Sequence, residues 1–353
     1  MINYLKEVAR GKRGARDLDY EDALCAASAI MDGTSTPAQT GAFLAAQRIK
    51  LESIDELEAF VHAIRHRSRR EKLFPGALDC ASPYDGRRSS FISTFPSAFV
   101  LGSAGVPVTL HGSAALPPKY GVTLGDIMLA GGIPAAALTP DDYIAAARTS
   151  GVLYAASEQW CPPLGALRPL RLELGMRTVL NTAEKLADYG RASCLSIGIF
   201  HNTVFDRMSR LLVRLGYTRA LVIQGQEGSD DVFIDRPTRI YTIENSDASL
   251  DVIDPELWGL DTQVPPMDWT PQLQLATAEE VLQRRGHMAC YNQTLLNAAL
   301  RLKLAGVAGS VEEGLYQAKA QLEDGEAWKT YQAWKQALTV PREAVSELPG
   351  AGK

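Results

Sequence analysis

The chain has 353 residues, 46% of them apolar and 22% charged, which excludes a wholly disordered or fibrous protein and suggests about two domains. No run of ~18 apolar residues occurs, so no membrane span is expected, and the basic stretch Met1 to Arg16 lacks the apolar core of a secretory leader. The net charge of −5 hides an asymmetry. Lys6, Arg10, Lys12, Arg13 and Arg16 face only Glu7 in the first 16 residues, and Arg65, Arg67, Arg69, Arg70 and Lys72 face only Glu71 between 62 and 72. Two basic stretches on an acidic body point to a polyanionic partner, against the plainer reading of two solvated helix ends. Cys25, Cys80, Cys161, Cys194 and Cys290 are odd in number and never in C-x-x-C spacing. That argues against a disulfide framework or a cysteine-rich zinc site and places the protein in the reducing cytoplasm.

In chain order, residues 1–72 read as a helical domain. Tyr4, Leu5 and Val8 share one face. Asp19 is placed to cap a helix that runs through Met31 and stops at Gly33. Thr36-Pro37 opens the next, with proline at its first position, and Phe43, Leu44 and Ile49 recur at helical spacing. Ser53 and Glu56 have capping-box spacing ahead of Leu57, Phe60, Val61 and Ile64.

Residues 73–338 change pattern. Short apolar runs at Ala98–Leu101, Val106–Leu110, Leu195–Phe200 and Ala220–Gln224 alternate with helical stretches such as Leu211–Leu215 and Thr294–Leu304. Val106–Leu110 and Leu221–Ile223 read as buried strands, and the alternation predicts an α/β domain on a mostly parallel central sheet. Residues 339–353, with Pro341, Pro349, Gly350 and Gly352, read as a flexible tail.

Several segments, in this order, resemble the anthranilate phosphoribosyltransferase family. They are Met31-Asp32-Gly33, Pro37-Ala38-Gln39, Ala45 to Lys50, Gly105 to Val108 running into His111-Gly112, Arg171 to Thr178 with Asn181, Glu227 to Asp231, and Pro237-Thr238-Arg239. The resemblance covers residues 4–325 or so. It implies a small helical domain on a large α/β domain, joined into a homodimer through the helical domains.

The resemblance breaks where the family holds phosphoribosyl pyrophosphate. Ala81-Ser82-Pro83-Tyr84-Asp85 stands in place of a Gly-Thr-Gly-Gly-Asp loop, whose glycines let backbone N–H groups approach phosphate. Pro83 has no N–H and Tyr84 adds bulk. A lost hydrogen bond to a charged group costs roughly 1.5–3 kcal/mol, so several lost together remove most phosphate affinity unless Ser82, Arg87 or Arg88 substitutes. The family's Asn before Ile-Ser-Thr is Phe91, its Lys before His-Gly is Leu110, its Asn after is Ser113, and its His ahead of the substrate helix is Cys161. Tyr84 to Arg87, Cys161 to Leu164, Arg10 to Lys12 and Ala15 to Asp19 are similar to the YbiB-type branch, which is associated with DNA and RNA binding.

Two readings follow. In the first, a cytoplasmic homodimer binds DNA or RNA without strong sequence preference and needs no cofactor. Lys6, Arg10, Lys12, Arg13, Arg16, Arg87 and Arg88 meet phosphates, Arg67, Arg69 and Arg70 are further candidates, and Tyr4, Tyr20 and Tyr84 are candidates for base stacking. In the second, the resemblance implies Mg²⁺-dependent transfer of phosphoribose to an aromatic acceptor. Asp85, Ser93, Thr94, His111 and Lys119 then hold the sugar phosphate, Arg171 holds the acceptor, and Asp230 with Asp231, exposed by pattern, holds the metal. His201 reads as structural, Cys161 as part of a rigid turn rather than a nucleophile, and Gln283 to His287 as a basic turn.

Overall fold

The computed structural model describes residues 1–11, 13–245 and 247–339. Four helices open the chain: α1 (Ile2–Val8), α2 (Tyr20–Met31), α3 (Pro37–Lys50) and α4 (Ile54–His66). Their starts follow the capping chemistry. Asp19 accepts from the Asp22 N–H, Thr36 from Gln39, and Ser53 from Glu56. Their buried faces meet around Ala26, Ile30, Phe43, Leu44, Phe60 and Ile64. Glu56 is fully buried among them, accepting from Leu18 N at 3.0 Å, Gln47 Nε2 at 2.9 Å and Lys50 Nζ at 2.6 Å. A buried carboxylate is tolerated because its oxygens are met in this way.

The rest is built on one seven-stranded sheet of order β3-β2-β1-β4-β5-β6-β7. The strands are β1 (Leu78–Ala81), β2 (Val108–Gly112), β3 (Val152–Ala156), β4 (Cys194–Gly198), β5 (Arg219–Ile223), β6 (Thr238–Glu244) and β7 (Asp247–Ile253). The first five are parallel, and β6 and β7 add an antiparallel edge. The small helical domain and mostly parallel sheet are the expected architecture. The run Ala98–Leu101 is not a strand: it lies within helix α5 (Thr94–Ser103). That helix is buried nearly all round, with Phe95 and Phe99 against Tyr331 and Trp334, so its sequence lacks amphipathic spacing. The tail from residue 340 and Lys12 lie outside the described residues.

The strand order places the site. Pairing runs outward through β2 and β3 on one side of β1 and through β4 and β5 on the other. The connections therefore diverge beyond the carboxyl ends of β1 and β4, where a doubly wound sheet opens a crevice. The helical domain covers this crevice: α3 and α4 pack against helices Arg168–Leu174 and Val179–Ala183, with Leu170 and Leu174 lying beside Gly41 of α3.

Candidate functional site

The crevice holds a cleft of about 190 Å³ between the helical domain and the carboxyl ends of β1 and β4. Arg48, Arg177, Lys185 and Arg207 line it, with Glu52, Asp85 and Glu227 as the acidic groups. Lys185 is buried and donates to the Gly198 carbonyl at 2.5 Å. Burial pulls its ammonium down to about 8, although Asp230 and Asp85 act the other way. Lys185 carries no motif, and nothing in the sequence points to it.

Deeper in, Asp230 and Asp231 are fully buried, not exposed. Arg87 donates to Asp231 Oδ2 at 2.6 Å, and Arg301 donates to Asp230 Oδ2 at 2.8 Å and Asp231 Oδ1 at 3.1 Å. The Ser82 hydroxyl meets Asp230 Oδ1 at 2.6 Å, and Thr94 gives its hydroxyl to Asp231 Oδ1 at 2.8 Å and its N–H to Oδ2 at 3.1 Å. Every carboxylate oxygen is thus an acceptor already in use, and two guanidinium charges balance the two carboxylates. Burial opposes ionisation of Asp231, but Arg87 and Arg301 outweigh it and pull the group down to about 2.

This arrangement does not fit Mg²⁺. The ion needs near-octahedral oxygen ligands at ~2.0–2.1 Å, and here cationic nitrogens occupy the positions facing the pair. Among the described residues no group of three or more His, Cys, Asp or Glu could hold a metal. Arg87 is correspondingly no surface cation. It is 1% exposed, with its second nitrogen on the Phe91 carbonyl at 2.7 Å. Arg301 also escapes sequence reasoning; its one signal is an arginine between Leu300 and Leu302 in an apolar helix.

The loop after β1 is also closed. Tyr84, a stacking candidate by sequence, is buried, and its hydroxyl lies 2.7 Å from His111 Nδ1. His111 Nε2 lies 3.0 Å from Asp79 Oδ1, both buried, without hydrogen-bond geometry between them. The void left between Tyr84, His111 and Thr123 is only about 10 Å³, roughly one water-sized sphere. Gly86 makes the closure possible. Its φ is +73°, and a Cβ there would lie 2.3 Å from the Gly121 carbonyl oxygen. Asp85 accepts from Arg177 Nε at 3.0 Å and lies 3.3 Å from Lys119 Nζ. Arg171 and Glu184 form a buried bidentate pair at 2.6 and 2.7 Å, so the expected acceptor-binding guanidinium is occupied. Ser93 is buried with no partner for its hydroxyl among the described residues. Cys161 is buried, which pushes its thiol up and away from nucleophilic form.

The two basic stretches separate in role. Lys6, Arg10, Arg13 and Arg16 are exposed. Arg10 pairs with Glu7 at 2.5 Å, and among the described residues no carboxylate pairs with Lys6, Arg13 or Arg16. In the second stretch, Arg67 grips both oxygens of Asp32 at 2.6 Å, Arg69 reaches Asp141 at 2.6 Å, and Arg70 pairs with Asp188. Arg65 donates to the Leu186 carbonyl at 2.9 Å. Arg65, Arg69 and Arg70 thus tie the helical domain to the α/β domain, and Arg67 is held within the helical domain. Tyr20 is bonded to His62 at 2.8 Å. Arg88 is exposed, and His201 is exposed at the cleft mouth beside Phe200. His287 caps helix Met288–Ala305 through Nδ1, 3.1 Å from Ala289 N.

Residues 2–68 match the glycosyl transferase family helical bundle domain and residues 84–328 its a/b domain. The chain is 32% identical over 330 residues to an anthranilate phosphoribosyltransferase of Thermomicrobium roseum, covering 88% of this chain and 90% of that one. It is 29% identical to that of Rubrobacter xylanophilus, over 92% of this chain and 94% of the relative. It is also 31% identical to an uncharacterized protein of Aquifex aeolicus, over 88% and 95%. The crystal structure of the Thermus thermophilus anthranilate phosphoribosyltransferase superposes with a TM-score of 0.83 at 25% identity, over 96% of this chain and 99% of that chain. The Saccharomyces cerevisiae enzyme in complex with phosphoribosyl pyrophosphate and Mg scores 0.80 at 17% identity, over 96% and 97%. This chain, with its helical bundle, mostly parallel sheet and crevice between them, belongs to the anthranilate phosphoribosyltransferase-like glycosyl transferase family.

Proposed function

We propose that this protein keeps the transferase scaffold without metal-dependent phosphoribosyl transfer, and that it binds nucleic acid as a homodimer through its N-terminal basic segment. The observation that carries the loss of metal-dependent transfer is the neutralisation of Asp230 and Asp231 by Arg87 and Arg301. A carboxylate pair whose charge is already matched has little attraction left for Mg²⁺. In the second basic stretch Arg67, Arg69 and Arg70 are held in ion pairs and Lys72 is exposed, so the cations offered to solvent near the amino terminus, Lys6, Arg13 and Arg16, are joined by Lys72 and by Arg88 on the loop after β1. Such residues contact phosphate and give affinity with little sequence preference. Membership of the YbiB-type branch belongs to the same proposal. Anisotropy of a labelled single-stranded oligonucleotide at ~50 and ~200 mM salt tests it: six to ten phosphate contacts should lose ~10³–10⁵ in affinity across that range. Absence of binding at low salt would overturn it.

The relatives favour a second reading, Mg²⁺-dependent phosphoribosyl transfer to an aromatic acceptor. The named relatives in Thermomicrobium and Rubrobacter are anthranilate phosphoribosyltransferases, and the yeast enzyme was solved with phosphoribosyl pyrophosphate and Mg. In sequence identity and in superposition on these enzymes, this reading stands ahead of the first. It requires Arg87 and Arg301 to leave the acidic pair and Tyr84 to leave the loop. A Mg²⁺-dependent rise in melting temperature with phosphoribosyl pyrophosphate would establish that they do.

A further inference from the structure

Lys185 serves neither reading of the function, yet it stands in the wall of the interdomain cleft. It lies in the 3₁₀ turn Glu184–Leu186, where Glu184 is drawn to Arg171 and Lys185 reaches the end of β4. The residue is 9% exposed, and among the described residues the hydrogen bond of its Nζ goes to the Gly198 carbonyl. The carboxylates that favour its charge, Asp230 and Asp85, are engaged elsewhere. Asp230 accepts from Arg301 and Ser82, and Asp85 faces Arg177 and Lys119. Arg177 and Lys119 in turn oppose a charge on Lys185. A buried ammonium has three N–H donors to satisfy and a charge to desolvate. One carbonyl does not meet that cost, so the neutral amine gains. With its value held down to about 8, about a quarter of Lys185 is free amine at pH ~7.5, against roughly one in a thousand for an ordinary lysine.

The same cleft offers cations to a ligand. Arg48 lines it and makes no ion pair among the described residues, and Arg207 lines it while donating to the Glu52 carbonyl at 2.7 Å. Of the acidic groups facing it, Glu227 has its carboxylate on the Arg88 N–H and the Ser90 hydroxyl. A planar guanidinium matches a carboxylate in two parallel hydrogen bonds.

We propose that Lys185 is an imine-forming lysine, and that the cleft takes a small keto or aldehyde acid whose carbonyl carbon is met by Nζ and whose carboxylate is met by Arg48 and Arg207. A desolvated lysine amine is the form that attacks carbonyl carbon. Nζ releases the Gly198 carbonyl and adds to that carbon, and the two amine protons leave with the carbonyl oxygen as water as the C=N bond forms. No oxidant or reductant takes part. The volume of about 190 Å³ suits an acid of a few carbons. The inference does not rest on the nucleic-acid reading.

The test treats the full chain with glyoxylate and cyanoborohydride, which reduces an imine to a stable secondary amine, and maps the modified lysines by peptide mass spectrometry. At pH ~7.5 Lys185 should be modified about tenfold faster than the other lysines of the same digest, and the ratio should fall toward pH ~10 as those lose their protons. A ratio near one at pH ~7.5, or a ratio that does not fall with rising pH, would overturn the proposal. This comparison is made within the wild-type protein and needs no variant to fold. Propanal, an aldehyde without a carboxylate, should show a smaller preference for Lys185, and Arg48→Met should lower the glyoxylate preference severalfold while leaving that of propanal unchanged. Equal preference for the two aldehydes, or a glyoxylate preference untouched by Arg48→Met, would overturn the assignment of an acid. Charge reversal at Arg13 and Arg16 should leave the labelling unchanged, so failure here is distinguishable from failure of the nucleic-acid reading.

Discussion

One guanidinium nitrogen of Arg301 lies 2.8 Å from Asp230 Oδ2 and 3.1 Å from Asp231 Oδ1, inside a protein that exposes only 1% of Arg301 and none of either aspartate. A buried pair of this kind gives little net stabilisation over apolar packing, but removal of one partner strands the other. Arg301→Leu should therefore destabilise the fold by about 3–5 kcal/mol in urea unfolding, because two carboxylates then share only Arg87. A loss under ~1 kcal/mol would mean that the carboxylates find water or protons without penalty.

The same cluster sets an acid limit. Asp231 titrates at about 2 in the folded chain against 3.8 ordinarily, so the unfolded chain takes up its proton first as pH falls. Its stabilisation is complete above pH ~4 and disappears as pH drops toward ~2, an effect on the order of 2 kcal/mol. Urea midpoints across that window should be flatter for Asp231→Asn than for wild type. Equal slopes would show that the group is not held as described.

Arg171 and Glu184 offer a cleaner contrast because each fills the other's needs bidentately. Arg171→Met alone should destabilise by roughly 3–5 kcal/mol, while Arg171→Met with Glu184→Met should recover most of that loss. A double variant as unstable as the single one would mean that packing, not charge, dominates at this position.

Arg13 and Arg16 are exposed, and among the described residues they lack carboxylate partners, so reversing both should leave the melting temperature within a degree or so. The same change should lower oligonucleotide affinity at ~50 mM salt and reduce the slope of log affinity against log salt by about one for each phosphate no longer engaged. Unchanged affinity, read by anisotropy, would return the segment to solvated surface.

The fold was legible because its signals are local. Asp19, Thr36 with Pro37, and Ser53 with Glu56 each mark a helix start within four residues, and the structure shows every one of those caps. Val108–Gly112 and Arg219–Ile223 are strands rich in β-branched and apolar residues, so β2 and β5 could be read directly. Strand β7 could not: Asp247–Ile253 is exposed at all but its last residue and carries no core pattern. The site was harder, because its decisive contacts are remote in sequence. Arg87 and Arg301 stand 144 and 70 positions from Asp231. Two adjacent aspartates look solvated until the cations that bury them are placed. The sequence marks Tyr84 as bulk in a phosphate loop, but only its bond to His111 shows that it fills the space.

Arg87 and Arg301 either leave room for a metal-bound diphosphate or exclude it. Calorimetric titration of phosphoribosyl pyrophosphate, with and without millimolar Mg²⁺, tests this most directly. The geometry predicts no Mg²⁺-dependent binding heat in the wild-type protein. Tight binding that vanishes on chelation of Mg²⁺ would contradict it and make the chain a metal-dependent transferase whose arginines move aside.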